Sequence, residues 1–403
     1  MPVLRDLDVG TPILDSGVLP RKKDKSIVAA LFGLLVGASL VLVLVSEANS
    51  AAQRNNPTPG FVFAGYVFAI FASLIVHEFG HLLAGWIVGF RFSSIAIGPL
   101  ALFLQYGRLR LQIRKNLPAG GHAGMHIARI RRLRRRLAFF VVAGPAANLA
   151  SYFLTAISIA YFHPSGEWST FLRLFGMIGL VFGVGNLIPF RIGAMFPDGA
   201  RLWMLVSSQT KTRRWLSLNA INAQSHGGAR PSVYRRTWLK AAAGIADQSV
   251  DDFAGNWAAY IAANDRKDSR TASVHIERCL ALAKMLGPSL QDVIAVEAAV
   301  FTAWFGENAG LSEKWFTQVK KFKALSPLTQ IRAETALLCA RREFDSALAR
   351  LQDAFAFVEK LPLTAIKTML AQGLTEWREE ICERQHLLDL MTENVSSIPV
   401  SQV

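Results

Sequence analysis

The sequence predicts an all-α multi-pass membrane protein. It has about four transmembrane helices, a short re-entrant or β-hairpin-like segment, and a C-terminal soluble α-helical domain. Three observations predict this class. Of 403 residues, 52% are hydrophobic, and the mean hydropathy of +0.29 is high for a water-soluble chain. The long apolar runs all fall before residue 190. Beyond roughly residue 205 the pattern becomes that of amphipathic helices punctuated by Gly and Pro. The chain therefore divides into a tail (1–25), an apolar domain (26–205), a helical domain (206–395) and an end segment (396–403).

The run 27–45 is uncharged and long enough to cross a bilayer. Ala48-Asn49-Ser50-Ala51 follows it in the manner of a signal-peptide cleavage site. The run and the tail before it are longer than a signal peptide has, so an uncleaved span is expected. The second run, 60–90, exceeds one crossing and is expected to tilt or emerge at one end. The third is 137–162. The fourth, 171–190, carries Arg173 near its outer end. The segment 95–104 is too short to cross and reads as a re-entrant or interfacial piece, an extended hairpin closing near Gly107. Trp86 and Trp168 sit where aromatic belts lie.

Charge orients these spans. Arg21, Lys22, Lys23 and Lys25 precede the first, and 91–136 holds eleven basic residues and no acidic one. By contrast, 47–60 carries only Glu47 and Arg54, and 163–170 only Glu167. The positive-inside rule places the N-terminus, 91–136 and the C-terminal part in the cytoplasm of a cell whose inner or plasma membrane the chain spans. The net charge of +15 is concentrated beside the membrane. Residues 1–199 carry 19 basic and 8 acidic side chains, against 25 and 21 in 200–403. That placement argues for topology and anionic lipid rather than for nucleic acid. Cys279, Cys339 and Cys382 form no close pair and imply reduced thiols, not a disulfide frame.

In the helical domain, 263–282 and 338–357 resemble each other at an offset of 75, with Ala272 against Ala347 and Cys279 against Ala354. That is about two units of a tetratricopeptide-length repeat. A plain helical bundle explains Ala and Leu at this spacing as well. Either way the domain is expected to serve interaction or regulation with a protein partner, and it holds no catalytic constellation.

The chemistry lies in the second run. Apart from Tyr66, the only ionisable side chains in 60–90 are His77, Glu78 and His81. Polar groups at bilayer depth are costly unless used. Residues four apart share a helix face, so His77 and His81 can present two imidazoles to one metal, with Glu78 beside them for a proton. A catalytic zinc site takes three protein ligands and leaves one position open. Asp198, after the fourth span and on the same side, is the membrane-domain carboxylate that best fits the third position. As a lone Asp after Pro197 it would more often cap a helix. His122 and His126 are also four apart, but without a carboxylate they read as polar residues of a basic loop.

Three motifs then agree in order and topology. His77-Glu78-x-x-His81 is followed by Gly144-Pro145-Ala146-Ala147-Asn148 in a later span, then by Asn186-Leu187-Ile188-Pro189 running on to Asp198-Gly199. Together they resemble the site-2 protease family of intramembrane metalloproteases, over residues 60–205. The resemblance implies Zn2+ held by His77, His81 and Asp198, with Glu78 as catalytic base. It implies an Asn186 near the metal and the substrate strand, and a packing role for Gly144, Pro145 and Asn148. The twelve residues from Asn186 to Asp198 exceed the family's usual spacing, and no PDZ-like insertion is visible. The activity implied is cleavage of a membrane-anchored protein within or beside its span, in regulated proteolysis. An extended substrate is expected to pair with the strand-like segment 92–104. Gly80, Gly85, Gly89, Gly179, Gly183 and Gly185 read as close packing more readily than as a water path. Two rivals stand beside the protease reading. One is a metal-binding membrane scaffold or peptide-export accessory working through its helical domain, which the intact Glu78 disfavours. The other is a soluble zincin with membrane anchors.

Overall fold

In the computed structural model the described residues are Leu14, Val45, Asn49 and 58–105, 108–113, 121–164, 166–189, 197–362 and 364–396. They are mostly helical, with 13 α-helices and one small sheet. The chain forms two compact units, Asp24–Ala223 and Met1–Lys23 with Gln224–Val403.

Three helices of the first unit are long and apolar enough to cross a membrane: α1 (Pro59–Ile87), α2 (Leu133–Phe162) and α3 (Gly166–Leu187). The expected span at 27–45 lies outside the described residues, save Val45. Thr58 starts α1, its hydroxyl accepting from the Phe61 N–H ahead of Pro59. The burial of α1 inverts that of a water-soluble helix. Phe63, Val67, Phe71, Ile75, Phe79, Leu83 and Ile87, spaced four apart, are exposed. Ala69, Ser73, His77 and His81, on another face, are buried. Aliphatic and aromatic groups outside with histidines inside is the arrangement lipid demands. Trp86 and Trp168 are exposed at the ends of their helices, as interfacial tryptophans are.

Small residues let the three helices approach. A Cβ at Gly80 would meet Ala143 O at 2.6 Å, and one at Gly179 would meet Ser151 Oγ at 2.4 Å. Gly85 and Gly183 are likewise in close contact, with Met125 and Leu149. The packing reading of these glycines therefore holds at four of the six positions. Gly185 faces open space, and Gly89 has φ +76°, which turns the chain from α1 into the sheet.

The sheet departs most from expectation. Instead of one hairpin there are four antiparallel strands: β1 (Phe90–Ile97), β2 (Leu100–Gln105), β3 (Arg108–Ile113) and β4 (Gly121–Ile127), in the order β3-β2-β1-β4. The segment 95–104 itself turns at Gly98-Pro99, and Gln105 pairs with Arg108 in the next hairpin, near Gly107 as anticipated. Register gathers Leu100, Leu102 and Leu104 opposite Ile113, Leu111 and Leu109, so one face of this hairpin is entirely aliphatic. Arg108 and Arg110 fall on the other face. Segment 92–104 is corrected as a pairing edge: β1 and β2 both have partners on each side, and the edges are β3 and β4. His122 and His126 lie in β4 rather than in a loop. At about 3.3 Å per strand residue they stand roughly 13 Å apart, too far to share one metal.

After α3 the unit continues with α4 (Asp198–Ser207) and α5 (Gln209–His226). Arg134, in the first turn of α2, donates to Leu205 O at the far end of α4, a cation at a helix C-terminus.

The second unit is built of helical hairpins: α7 (Val250–Asp265) with α8 (Ser269–Ala281), α9 (Pro288–Trp304) with α10 (Ala309–Phe316), and α11 (Pro327–Ala340) with α12 (Phe344–Glu359). The short α6 (Arg236–Ala243) precedes them and α13 (Ala365–Ser396) follows. The offset of 75 recurs in three dimensions. Lys267 and Arg342 both adopt positive φ, +58° and +63°. Their N–H groups donate to Asn264 O and Cys339 O, and those of Asp268 and Glu343 to Ala263 O and Leu338 O. Ala272 and Ala347, Ile276 and Leu351, and Cys279 and Ala354 are buried equivalently. Cys279 and Cys339 are buried free thiols, and burial pushes the Cys339 thiol up to about 12; Cys382 is exposed.

Candidate metal centre

The buried edge of α1 brings His77 and His81 together, with Nε2 atoms 3.2 Å apart. Asp198, the first residue of α4, sends its Oδ2 to within 3.0 Å of His77 Nε2 and 3.3 Å of His81 Nε2. It caps nothing: the cap position is Pro197, and no side-chain cap bond forms. The ordinary N-cap reading therefore gives way to a carboxylate turned toward two imidazoles. Its neighbour Gly199 seats α4 on the end of α3, where a Cβ would meet Leu187 O at 2.2 Å. Residues 190–196, which carry most of the lengthened Asn186–Asp198 spacing, lie outside the described residues.

The donor set fits a small divalent cation. Zinc bonds to N and O of about 2.0–2.1 Å, at the tetrahedral angle, hold their donor atoms roughly 3.3–3.4 Å apart. The three separations here are 3.0, 3.2 and 3.3 Å. Hydrogen bonding gives a second reason. His81 Nδ1 lies 2.8 Å from Phe140 O, a group that can only accept, so the hydrogen of the neutral ring is on Nδ1. Its Nε2 lone pair then faces Asp198 Oδ2 and His77 Nε2, an arrangement that a cation seated between the three atoms would satisfy. Zinc, the expected metal, is one cation that would satisfy this.

Outer contacts fix both rings, as metal-binding histidines require. Phe140 O holds His81. Asn148, fully buried on α2, places its amide 3.2 Å from His77 Nδ1. Its Oδ1 has no donor among the described residues. A half-turn of the amide presents that oxygen to the Nδ1–H of a ring whose Nε2 binds metal. Gly144, one turn before Asn148, backs the pair: a Cβ there would meet His81 Nε2 at 2.3 Å and His77 Nε2 at 2.8 Å. Glu78 is buried against β4, where a Cβ at Gly121 would meet its Oε1 at 2.2 Å. Between α1 and the sheet lies a mainly apolar groove of about 540 Å³ lined by Phe79, Leu83, Trp86, Arg91, Phe92 and Met125.

The sequence-predicted residues thus divide. His77, His81 and Asp198 converge on one point, with Glu78 on the same helix. Asn186 is half-buried on the last turn of α3, next to Leu187. No hydrogen bond joins it to the three donors among the described residues. The roles of Asn148, Gly121 and the Phe140 carbonyl were not anticipated. The four-residue spacing of Gly144 and Asn148, which puts them on one face of α2, is the signal that could have pointed to Asn148.

Family models, curated proteins and solved structures were compared with the chain, and none matches it.

Proposed function

We propose that this protein is a zinc-dependent intramembrane endopeptidase of the site-2 protease kind, which hydrolyses a peptide bond within or beside the span of a membrane-anchored protein in regulated proteolysis. One observation carries the reading: His77, His81 and Asp198 face one another within 3.3 Å, with Glu78 beside them, on the buried side of a helix whose outer surface is apolar. Polar groups gathered there without use would be costly.

Bound zinc would lower the pKa of its water and polarise the scissile carbonyl. The rest falls to the chain's own groups. Glu78 takes a proton from the attacking water on a carboxylate oxygen and delivers it to the leaving nitrogen. Asn148 and the Phe140 carbonyl hold the two imidazoles in register. An intact substrate helix shields its carbonyls, so the substrate unwinds and pairs as an extended segment with the edge strand β4, which passes Glu78 at Gly121. The groove beside Met125 receives its apolar side chains. The aliphatic face of β2 and β3 lies against acyl chains, with Arg108 and Arg110 toward anionic headgroups. Four spans with cytoplasmic ends satisfy the charge distribution. The equivalent turns 75 residues apart favour a tetratricopeptide-like repeat in the second unit, which recruits a protein partner.

The test is cleavage of a single-span model substrate by the full chain in liposomes. Wild type should cut and Glu78→Gln should not, while both retain metal. Persistent cleavage in the Gln variant sinks the assignment. Metal binding without cleavage in wild type favours the scaffold reading. Ready proteolytic access to the His77 segment in sealed vesicles favours an anchored soluble zincin.

A further inference from the structure

The second unit buries one residue from the far end of the chain. Leu14 is 7% exposed and belongs to the core cluster with Ile276, Cys279, Phe301 and Trp315. Trp315 is fully buried, and its Nε1–H donates to the Leu14 carbonyl at 2.7 Å, across 301 positions. An indole carries a single polar atom, a donor, and a buried tryptophan needs an acceptor for it. Here that acceptor comes from the N-terminal segment. The cluster that holds Leu14 and Trp315 also contains the small residues Ala272, Ala298 and Ala299. A leucine anchor plus one backbone carbonyl is recognition that any short segment with a suitably placed leucine can supply.

We propose that the helical unit is a peptide-binding module whose Trp315 pocket is filled in cis by the chain's own N-terminal segment at Leu14, so that both ends of the protein lie on one face of the membrane. The second half follows from parity. A hydrogen bond cannot join residues on opposite sides of a bilayer, so an even number of crossings separates Leu14 from Trp315. The described residues supply three candidate spans, α1, α2 and α3. The run 27–45, uncharged and long enough by sequence, is the expected fourth. The proposal is independent of proteolysis: it stands or falls whether or not Glu78 proves catalytic.

A photo-crosslinking residue at position 14 of the full-length chain, in membrane vesicles, tests the contact. The expected product is an intramolecular crosslink to peptides bearing Ile276, Phe301 or Trp315. Mixing isotopically light and heavy chains reveals whether the partner is the same copy. A crosslink to a second copy, to another protein or to none of these peptides overturns the cis assignment. Tags ahead of residue 14 and at the C-terminus should be digested from the same side of sealed vesicles; digestion from opposite sides overturns the topology. Because a bulky probe can disturb the pocket, Leu14→Asp is the companion. Amide exchange in 272–301 should accelerate at least tenfold, and a synthetic peptide of residues 8–20 should restore protection. Wild-type exchange in that variant, or failure of the peptide to restore it, overturns the proposal.

Discussion

His77 Nε2 and Asp198 Oδ2 stand 3.0 Å apart although 121 positions separate them. The contact joins the buried face of one apolar helix to the first residue of a short helix beyond the last of the three long apolar helices. It turns two histidines into a three-donor site, and Asp198 is its most informative position to change.

Asp198→Asn keeps the volume and removes the charge. Metal content per chain should fall from about one to a small fraction, a larger loss than the roughly 10–100-fold that follows removal of an outer-shell partner. Elemental analysis of purified protein in detergent measures it. Retention of wild-type metal content would remove Asp198 from the site.

Gly144→Ala should be as damaging as loss of a ligand, because its Cβ would fall 2.3 Å from His81 Nε2. Gly185→Ala, on the neighbouring helix with nothing within 4 Å, is the control and should bind metal normally. Equal metal content in the two variants would show that the close approach at Gly144 is unimportant.

Asn148→Ala removes the group that holds His77 Nδ1 and leaves every donor atom in place. Metal affinity should drop by about 10–100-fold, with the protein still folded. Competition against a chelator of known affinity reads the change. An unaltered affinity would restrict Asn148 to packing.

His275, in the second unit, gives a pH signature apart from the metal site. Burial pulls its pKa down to about 4, and its Nδ1–H donates to Asn256 Oδ1 at 2.9 Å. The folded state refuses a proton that the unfolded chain accepts below about pH 6.5. The stabilising term is therefore complete above pH 6.5 and is lost as pH falls toward 4, amounting to about 3 kcal/mol. Comparing denaturant unfolding of wild type with His275→Gln between pH 7 and 4 isolates it, since the variant should lose less stability over that interval. Parallel pH profiles would contradict it.

Much of the first unit was legible in the sequence because its signals are local. Apolar runs announce helices by length alone, and four-residue spacing sets two histidines on one face whatever surrounds them. The sheet was less legible. β4 is Gly-His-Ala-Gly-Met-His-Ile, with few β-branched or aromatic residues, and becomes a strand because β1 pairs with it. Glycine contacts could be foreseen in kind but not in place, since which helix meets Gly144 or Gly179 depends on rotation about three axes.

By itself the sequence determined the apolar helices, the basic segment between them, the paired histidines with their glutamate, and the 75-residue echo in the second unit. Each depends on residues near one another in the chain, or on composition, and physical chemistry acts on those without knowledge of the fold. Only the tertiary structure decided that Asp198 turns to His77 and His81 rather than capping its helix. It alone decided that Asn148 and the Phe140 carbonyl orient the rings, that β4 rather than 92–104 runs beside Glu78, and that Trp315 finds its acceptor at Leu14. These are distances of about 3 Å between residues tens to hundreds of positions apart, and packing sets them where periodicity cannot.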